Sequence, residues 1–462
     1  MKLLYITPWI PYPLTNGGNQ AFFMMADNVR KHHDLSVLLY VHHSADKAYI
    51  DELKKLWPDV TFYIFDDETE HEFLMNHPEL SPYCGMSRKD KMQCKSYNFV
   101  MHSMQRKIAR KRRKWDASHD DYVRSNSTLY MENSDLTISF CSYVNDVASK
   151  GFDIVQVEFY DYLPLVYALP QQCKKVFVHH ELRFVRNEIE VEMFKNVLPS
   201  DIMMREKKKA EELAALSAYD AVITLTDIDK NILKDHLPEG KLFTSPAITQ
   251  TVSLEHLSFK PAKDLVFVGN GSHFPNADGM LWFCSEIAPA MKAQGIKMPT
   301  IYVTGNWDAK TKEKLTGLCP EIVFSGFIDD LQSFLNGKLS VVPIRIGSGM
   351  RMKLIDTACA GAPIVTTSKG CEGLPFVDGK NCLIADSAED FAKAVIRMLA
   401  DETLQQTLAV NAQSSQSNML NESKLLEKRI AVYEHLIGVP SREPFLVLDI
   451  SSFQDTTSQA YP

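Results

Sequence analysis

A glycine-rich turn followed by two cations carries the clearest chemical signal in the sequence. The segment reads SVVPIRIGSGMRMKLIDTACAGAPIVTTSKGCEGL, so Gly347, Ser348 and Gly349 directly precede Arg351 and Lys353. Glycines let a backbone approach a ligand closely, and a helix N-terminus offers free N–H groups and positive potential. The two cations add charge where the oxygens of a diphosphate would lie. The spacing therefore predicts a diphosphate-binding helix N-terminus.

Asp356 supplies a carboxylate on the same predicted helix. It follows Lys353 by three residues, which places both side chains on one face. From that face a carboxylate can reach the ribose hydroxyls of a nucleotide. Taken as one block, the turn and the helix predict a nucleotide diphosphate site.

Three further loops place polar or glycine residues beyond predicted strand ends, where ligands bind in an open parallel sheet. Gly17 and Gly18 precede the first helix, and His180 lies in HHE directly after the strand KVFV. Gly269 and Asn270 lie in FVGNGSHFPN, which lacks the third glycine of a dinucleotide fingerprint and therefore disfavours a dehydrogenase. The alternatives are a ligand-free tight turn for the paired glycines and a buried, backbone-satisfied histidine for HHE.

No metal site is predicted. The one DxD motif, Asp227-Ile228-Asp229, follows a strand and is expected to cap the next helix. The nine cysteines are scattered without a CxxC pair, which argues against a zinc ribbon and a disulfide framework. A net charge of -8 gives no reason to expect nucleic-acid binding.

The elements that must position these residues follow a β-α alternation, which predicts doubly wound α/β domains. Continuous apolar runs such as LVFVG are typical of parallel strands that are buried on both faces. The first predicted series of strands is Lys2–Thr7, Leu35–Val41, Val60–Phe65, Asp153–Phe159, Lys175–His179 and Asp220–Thr226. The second is Asp264–Gly269, Thr300–Gly305, Ile322–Gly326, Leu339–Ile344, Pro363–Thr367 and Asn381–Ala385. The predicted helices are Asn19–His32, Ala277–Lys292, Met350–Ala360, Ala388–Ala400 and Glu422–Ile437.

The chain is long enough for two domains, and a polar stretch over 247–263 is the predicted linker. The predicted boundaries are an N-terminal domain over 1–250 with a helical insertion at about 66–150, a C-terminal domain over 251–415, a C-terminal helix over 416–437 and an irregular tail over 438–462.

The predicted insertion contains a strongly basic segment, Arg88–Lys114, with eleven basic residues and one acidic residue. It is interpreted either as a solvated helix face or as a surface for anionic lipid or a pyrophosphate-linked acceptor. The start of the chain reads as a buried strand rather than a signal peptide, and no apolar run approaches the roughly 20 residues that cross a bilayer. A cytoplasmic protein, peripheral at the inner face of the membrane, is expected.

At the glycine turn the sequence resembles the retaining family-4 glycosyltransferases (glycosyltransferases group 1), whose pattern reads P-x-x-x-G-x-G-x-x-x-K-x-x-E-A-x-A-x-G-x-P-V-V-x-T. The likeness extends to VGNGSHFPNADGMLWF and to the paired glycines after the first strand. It implies a GT-B fold, in which two Rossmann-like domains face a central cleft. It also implies a hexosyltransferase that needs no metal or other cofactor. Such an enzyme moves a sugar from a UDP- or GDP-sugar to a glycan or lipid-linked acceptor with retention, in cell-surface polysaccharide or glycoconjugate assembly.

The resemblance assigns roles to individual residues. His180 is expected near the transferred sugar, with His179 as the alternative, and Asp356 stands at the second glutamate of the E-x7-E pair. Ser348 stands at the first glutamate, and Glu372 in GCEGL is expected to replace that carboxylate in part. The predicted catalytic residues are His180, Arg351 and Lys353. The predicted donor-binding residues are Gly17, Gly18, Gly269, Asn270, Gly347, Ser348, Gly349, Met350, Asp356 and Glu372.

Two other functions stay open at this point. A sugar-nucleotide epimerase on the same fold would share the donor site, and a non-catalytic homologue would bind a sugar nucleotide as a scaffold. The serine at position 348 keeps the second alternative open.

Overall fold

The computed structural model shows two parallel sheets with helices on both faces. The basic segment 88–114 lies outside the described residues except for Lys89 and Lys107, as do positions 249–258 of the predicted linker and 440–462 of the predicted tail. The domain boundaries and the role of the basic segment therefore stay predictions. The structure describes residues 1–81, 122–131, 136–248, 259–419 and 421–439, with Met86, Lys89, Met104 and Lys107.

The first sheet has seven parallel strands in the order β3-β2-β1-β4-β5-β6-β7. The last of them, Leu242–Thr244, is three residues long and was not predicted. The strands are β1 Lys2–Thr7, β2 Asp34–Tyr40, β3 Thr61–Phe65, β4 Ile154–Glu158, β5 Lys174–His179, β6 Ala221–Thr224 and β7 Leu242–Thr244.

The second sheet has six parallel strands in the order β10-β9-β8-β11-β12-β13. Both sheets confirm the predicted doubly wound α/β fold. The strands are β8 Asp264–Phe267, β9 Ile301–Thr304, β10 Ile322–Gly326, β11 Lys338–Val342, β12 Ile364–Thr366 and β13 Leu383–Ile384.

Helices connect the strands of each sheet. In the first half they are α1 Gly17–Arg30, α2 Lys47–Leu56, α3 Asp67–Asn76, α4 Tyr122–Asn126, α5 Ile138–Ala148, α6 Arg183–Glu192, α7 Pro199–Ala218 and α8 Asp227–Lys234. In the second half they are α9 Phe274–Trp282, α10 Ala288–Ala293, α11 Ala309–Leu318, α12 Leu331–Leu335, α13 Met352–Cys359, α14 Ser368–Cys371, α15 Ala388–Ala400, α16 Glu402–Met419 and α17 Glu422–Leu436. A π-helical turn, Phe283–Ile287, joins α9 to α10, and 3-10 turns span Ser44–Asp46, Pro78–Leu80, Tyr160–Tyr167 and Glu239–Lys241.

Burial of β1 on both faces explains its uninterrupted apolar run. Leu3 and Tyr5 pack into one core cluster, whereas Leu4 and Ile6 pack into another on the opposite face of the sheet. Side chains alternate along a strand, so a strand with helices on both faces needs apolar residues at successive positions.

The strand order reverses between β1 and β4 in the first sheet and between β8 and β11 in the second. Loops that leave neighbouring strands in opposite directions open a crevice at such a switch point, where ligands bind in open α/β sheets. Seven predicted site residues, Gly269, Asn270 and 347–351, lie in the loops that follow β8 and β11, and Gly17 and Gly18 begin the helix that follows β1.

Helix α5 lies within the range predicted for the insertion and leads into β4. Phe140 and Val144 of this helix are fully buried in the same core cluster as Leu4 and Ile6 of β1. This part of the range therefore packs on the first sheet, and the bounds of the insertion stay a prediction.

The C-terminal helix α17 returns to the first half of the molecule and packs against α1. Arg429 and Tyr433 of α17 are buried there, and the Tyr433 hydroxyl lies 2.7 Å from that of Tyr5 on β1. Among the helices in the described ranges, none has the length and apolar character needed to span a bilayer.

Candidate functional site

The glycine turn between β11 and α13 lies at the switch point of the second sheet. Gly347 and Gly349 have φ angles of 113° and 79°, a region that glycine enters at little cost. Arg351 is the residue that precedes the helix, and α13 begins at Met352, two residues later than predicted. The turn thus leads directly into a helix N-terminus.

The guanidinium of Arg351 holds this turn. Its Nη1 donates to the backbone oxygens of Gly349, at 2.8 Å, and Ser348. Its other terminal nitrogen, Nη2, is buried and has no hydrogen-bond partner among the described residues. Burial lowers the pKa of Arg351, and the nearest acidic group, Glu181, opposes that shift. Arg351 therefore holds an unused, desolvated donor, which costs free energy unless a ligand satisfies it.

Lys353 lies in the first turn of α13. Its Nζ contacts the side-chain oxygen of Asn276, and it lies 4.6 Å from the centre of the Phe267 ring. Burial, reinforced by the charge of Arg351, lowers the pKa of Lys353 to about 7. Two cations are thus held close together: the carboxylates of Glu181, Glu372 and Asp229 act on the pKa of Arg351, whereas no carboxylate of the described residues shifts that of Lys353.

Glu181 and His273 face this pair, and the sequence had given neither a role. A Cβ added to Gly347 would lie 3.0 Å from Glu181 Oε1 and 3.2 Å from Arg351 Nη2, so both groups flank the same point. Burial raises the pKa of Glu181, but Arg186 and other cations prevail and lower it to about 2. Glu181 forms its ion pair with Arg186, at 3.2 Å. Because Glu181 and the turn lie far apart in sequence, only the fold reveals their proximity.

His273 is an exposed residue at the start of α9, close enough to the glycine turn to be affected by its charges. Desolvation lowers its pKa to about 3, with Arg186, Lys353 and Arg351 adding to the shift and Glu181 opposing it. An exposed imidazole thus lies near the two cations of the turn.

The two histidines at the end of β5 lie in different environments. His179 is fully buried, and its Nε2 lies 2.7 Å from Glu212. Glu212 also accepts the backbone N–H groups of Arg183 and Phe184 at the start of α6. His180 keeps 14% of its side chain exposed, and its Nε2 lies 2.7 Å from Glu158 at the end of β4. His180, rather than His179, is therefore the histidine of the pair that solvent reaches.

An aromatic stack extends from His180 to the loop after β1. The rings of His180 and Phe159 are parallel within 14° at 3.9 Å, and Trp9 contacts the Phe159 ring at 4.4 Å. Phe159 has a φ of 66°, which is strained for a bulky side chain. Trp9 keeps 46% of its surface exposed. The stack thus presents an indole next to the histidine.

The glycine turn contacts the first sheet's loops directly. A Cβ on Gly349 would lie 2.0 Å from the backbone oxygen of His180, so only glycine fits there. The Ser348 hydroxyl accepts the backbone N–H of Leu182 at 2.7 Å. That contact occupies the hydroxyl at the position where the family usually has a glutamate. Ser348 therefore joins the two halves of the molecule, and only its backbone is left for a donor contact.

The paired glycines also lie at the boundary between the halves. A Cβ on Gly17 would lie 2.9 Å from Met352, so the N-termini of α1 and α13 approach each other. A Cβ on Gly18 would lie 3.2 Å from the Phe159 ring. The Asn270 side chain donates to Thr15 at 3.3 Å across the same boundary.

Two predicted carboxylates take different environments. Asp356 lies against Gln20 of α1, and burial raises its pKa to about 7 while the Gln20 hydrogen bond opposes that shift. Glu372 pairs with Lys369 at 2.7 Å and lies close enough to Arg351 to affect its pKa. A ribose or sugar contact by either carboxylate remains a prediction.

Two further predicted residues have no side chain available for a ligand. Met350 packs its side chain into the core, which leaves only its backbone. A Cβ on Gly269 would lie 2.5 Å from the side-chain amide of Asn276, so the backbone of the loop that follows β8 packs tightly against α9.

The DxD motif lies in the first turn of α8, so the expectation that it caps this helix was wrong: the cap is the residue before it. Thr226 is the N-cap of α8, and its hydroxyl accepts the Asp229 N–H at 3.1 Å and donates to the Asp229 carboxylate at 2.6 Å. In the ranges that the structure covers, no group of three or more His, Cys, Asp or Glu is arranged to hold a metal ion.

Residues 262–401 match the family described as Glycosyl transferases group 1. This range contains the whole second sheet, the glycine turn and α13. The match to this domain over 262–401 confirms the resemblance that the motifs predicted.

Comparison with solved structures shows the same fold over the whole described chain. Sucrose-phosphate synthase from Thermosynechococcus elongatus superposes with a TM-score of 0.61 at 14% identity, covering 95% of this chain and all of that one. Anabaena Alr3699/HepE in complex with UDP superposes with a TM-score of 0.60 at 11% identity, covering 94% of this chain and all of that one. The GT-B fold is thereby confirmed.

A curated relative is similar over a shorter range. It is an uncharacterized 44.6 kDa protein in the cps region of Klebsiella pneumoniae, 26% identical over 159 residues. The match covers 32% of this chain and 40% of the relative, so the chain spans less than half the length of that relative.

Replacing Gly349 by alanine is expected to destabilise the contact between the two halves. The new Cβ meets the His180 carbonyl, and the backbone is left-handed, so the free energy of unfolding should fall by more than about 1 kcal/mol. Thermal unfolding measures this change. Gly240→Ala is the matched control, because a Cβ there meets nothing within 4 Å. Equal melting of Gly349→Ala and the unaltered protein would show that the close contact is absent.

Proposed function

Because residues 262–401 form a group 1 glycosyl transferase domain, we propose that this protein transfers a sugar from a nucleotide-diphosphate donor to an acceptor, with retention of anomeric configuration. The donor diphosphate binds at the glycine turn and the N-terminus of α13. The acceptor binds on the side of the first sheet, next to His180. The leaving diphosphate is stabilised by the protein's own cations and amides.

The free donor on Arg351 is the observation that carries this proposal. One arm of the guanidinium fixes the turn through the backbone oxygens of Ser348 and Gly349, while the buried Nη2 has no partner. A phosphate oxygen supplies the acceptor and the negative charge that this group lacks. Lys353 and the N-terminal N–H groups of α13 add to the same positive potential.

This arrangement fits the charge that develops during sugar transfer. As the bond between the sugar and the phosphate breaks, negative charge grows on the leaving diphosphate, and preorganised donors stabilise it. Attack on the same face as the leaving group, assisted by its phosphate oxygen, retains the configuration without a protein nucleophile. Arg351, Lys353 and His180 are the proposed catalytic residues.

The proposed base is uracil and the proposed product a polysaccharide or glycoconjugate. One protein of the same fold, Anabaena Alr3699/HepE, was solved with UDP, and the Klebsiella relative is in a cps region. Both findings concern those proteins, and they support UDP-sugars as the first donors to test, with GDP-sugars next.

Trp9 is the proposed platform for the acceptor sugar. Its half-exposed ring packs at a tilt of 54° against Phe159, which is stacked in turn on His180. Aromatic faces bind the C–H groups of sugar rings, and the surrounding Pro-rich loop limits the entropy lost on binding. This position places an acceptor sugar beside the histidine expected near the transferred sugar.

Lys353→Ala and Arg351→Ala are each expected to lower transfer by about 10²–10³-fold, because each removes a charge-stabilising donor. Release of nucleoside diphosphate from UDP- and GDP-sugars, with and without glycoside or lipid-linked acceptors, measures the activity. Lys310→Ala, an exposed lysine on α11 of the same half, is the matched control and should retain activity.

The same assay separates the alternatives. Acceptor-dependent nucleotide release supports a transferase, whereas a new sugar nucleotide without release indicates an epimerase. Binding without either reaction indicates a scaffold. Near-normal transfer by Lys353→Ala contradicts the proposed role of this residue.

Donor affinity is expected to weaken as the pH rises above about 7. Burial lowers the pKa of Lys353 to about 7, so the free protein loses this proton above that pH, and a bound diphosphate restores it. Calorimetry of UDP binding in buffers of different ionisation enthalpy should therefore show proton uptake. Lys353→Met isolates the effect from Asp356, whose pKa is also about 7. Identical proton uptake by Lys353→Met excludes this assignment.

Trp9→Ala is expected to raise the KM for the acceptor about fivefold to tenfold, since stacking of this kind is worth about 1 kcal/mol. The KM for the donor should not change, and Trp9→Tyr should restore much of the affinity. Tyr167→Ala removes an exposed aromatic of the same half and serves as the control. A higher donor KM with an unchanged acceptor KM would place Trp9 in the donor site instead.

A further inference from the structure

A chain of buried hydrogen bonds leads from the C-terminal helix to His180. The Tyr433 hydroxyl on α17 donates to the side-chain oxygen of Gln156, in the middle of β4. The Gln156 amide donates to Glu158 Oε1 at 2.6 Å. The other oxygen of Glu158 lies 2.7 Å from His180 Nε2. Four side chains therefore connect α17, which lies in the last 41 residues of the sequence, through β4 to His180 just beyond β5.

The direction of donation along this chain is fixed. Because the proton of Tyr433 goes to Gln156, the 2.7 Å bond between Tyr5 and Tyr433 must use the Tyr5 proton. The amide nitrogen of Gln156 then points at Glu158 and has only donors to offer. Burial raises the pKa of both tyrosines, so both keep these protons at neutral pH.

This direction decides which nitrogen of His180 carries the proton. Glu158 accepts from Gln156 on one oxygen, and as a carboxylate it also accepts from His180 on the other. His180 Nε2 therefore carries a hydrogen, and in the neutral ring Nδ1 keeps its lone pair. Nδ1 makes no hydrogen bond to the described residues.

Four side chains of this hydrogen-bond network are almost completely shielded from solvent, which favours a single arrangement of the network. Tyr433, Gln156 and Tyr5 have no exposed surface, and Glu158 has 2%. A buried polar network that loses one member leaves the others unsatisfied, at a cost of about 1–3 kcal/mol. The neighbouring cation is Arg429 of α17, whose Nε donates to Ser245 at 3.1 Å.

We propose that Tyr433, Gln156 and Glu158 are positioning residues that set the tautomer and orientation of His180 from the C-terminal helix. This relay, the hydrogen-bonded series from Tyr433 through Gln156 and Glu158 to His180, leaves Nδ1 of His180 free to accept a hydrogen bond from a hydroxyl of the bound sugar or acceptor. The part that concerns sugar transfer rests on the proposed function. The part that concerns the tautomer holds for the free protein.

Glu158→Gln tests the relay, because it forces a choice between two neighbours. Tyr433 holds the Gln156 amide with its nitrogen toward position 158, so the new glutamine must turn its oxygen to Gln156 and its nitrogen to His180. His180 Nε2 then has to accept, and the proton moves to Nδ1. We expect the neutral ring to change from the Nε2–H to the Nδ1–H tautomer.

Nitrogen-15 NMR of histidine-labelled full chain without ligand reads the tautomer directly. His180→Gln identifies the His180 signals by their loss. Adding Tyr433→Phe to Glu158→Gln frees Gln156 to rotate, so the double variant should regain the Nε2–H tautomer at least in part. Tyr219→Phe is the matched control, since this tyrosine is equally buried and donates to Leu163 at 2.9 Å outside the relay.

Two outcomes would overturn the relay. One is an unchanged tautomer in Glu158→Gln, and the other is an identical tautomer in the single and double variants. Loss of fold in Tyr433→Phe alone, beyond that in Tyr219→Phe, is detected by thermal unfolding and does not affect the Glu158→Gln result. If the tautomer shifts as expected in a protein that transfers no sugar, the relay stands and the proposed function fails.

In a protein that transfers sugar, Glu158→Gln should lower kcat with little change in the KM for the donor. Its Nδ1–H edge donates where the unaltered protein accepts, whereas the diphosphate site at Arg351 is intact. If instead the donor KM rose by the same factor by which kcat was expected to fall, Glu158 would support donor binding rather than the orientation of His180.

Discussion

The candidate site is organised around the guanidinium of Arg351, in the turn that precedes α13. Its Nη1 donates to backbone oxygens of that turn, and its buried Nη2 has no hydrogen-bond partner among the described residues. Lys353 lies near it, with its pKa lowered to about 7 by burial and by that neighbour. A buried donor without a partner costs free energy, and the proposed diphosphate would offset that cost by supplying an acceptor.

Residues of the first half of the molecule contact the same turn directly. Gly349 lies against the His180 carbonyl, and Ser348 binds the backbone of Leu182, so the cations and the histidine are held in one frame. His180 is fixed from behind by Glu158, and through it by the C-terminal helix. The two halves of the molecule are therefore joined by contacts that pass through backbone and buried side chains.

The fold could be predicted largely from the sequence, because buried parallel strands leave continuous apolar runs. Strand β7 was missed since three residues give no pattern. At the site, the turn and its cations were visible as local motifs. Glu181 and the relay behind His180 were not, because they depend on side chains from separate elements. Ser348 shows the same limit, since its partner, Leu182, lies 166 positions away.

The central claim is that the unpartnered Nη2 of Arg351, with Lys353 beside it, forms a pyrophosphate site. Its most direct test is the melting temperature of the full chain, titrated with inorganic pyrophosphate and with UDP, for the unaltered protein and Arg351→Met. Both anions should raise the melting temperature of the unaltered protein and have little effect on that of the variant, each measured against the same protein without ligand. Equal stabilisation of the two proteins, or none of either, would contradict the account.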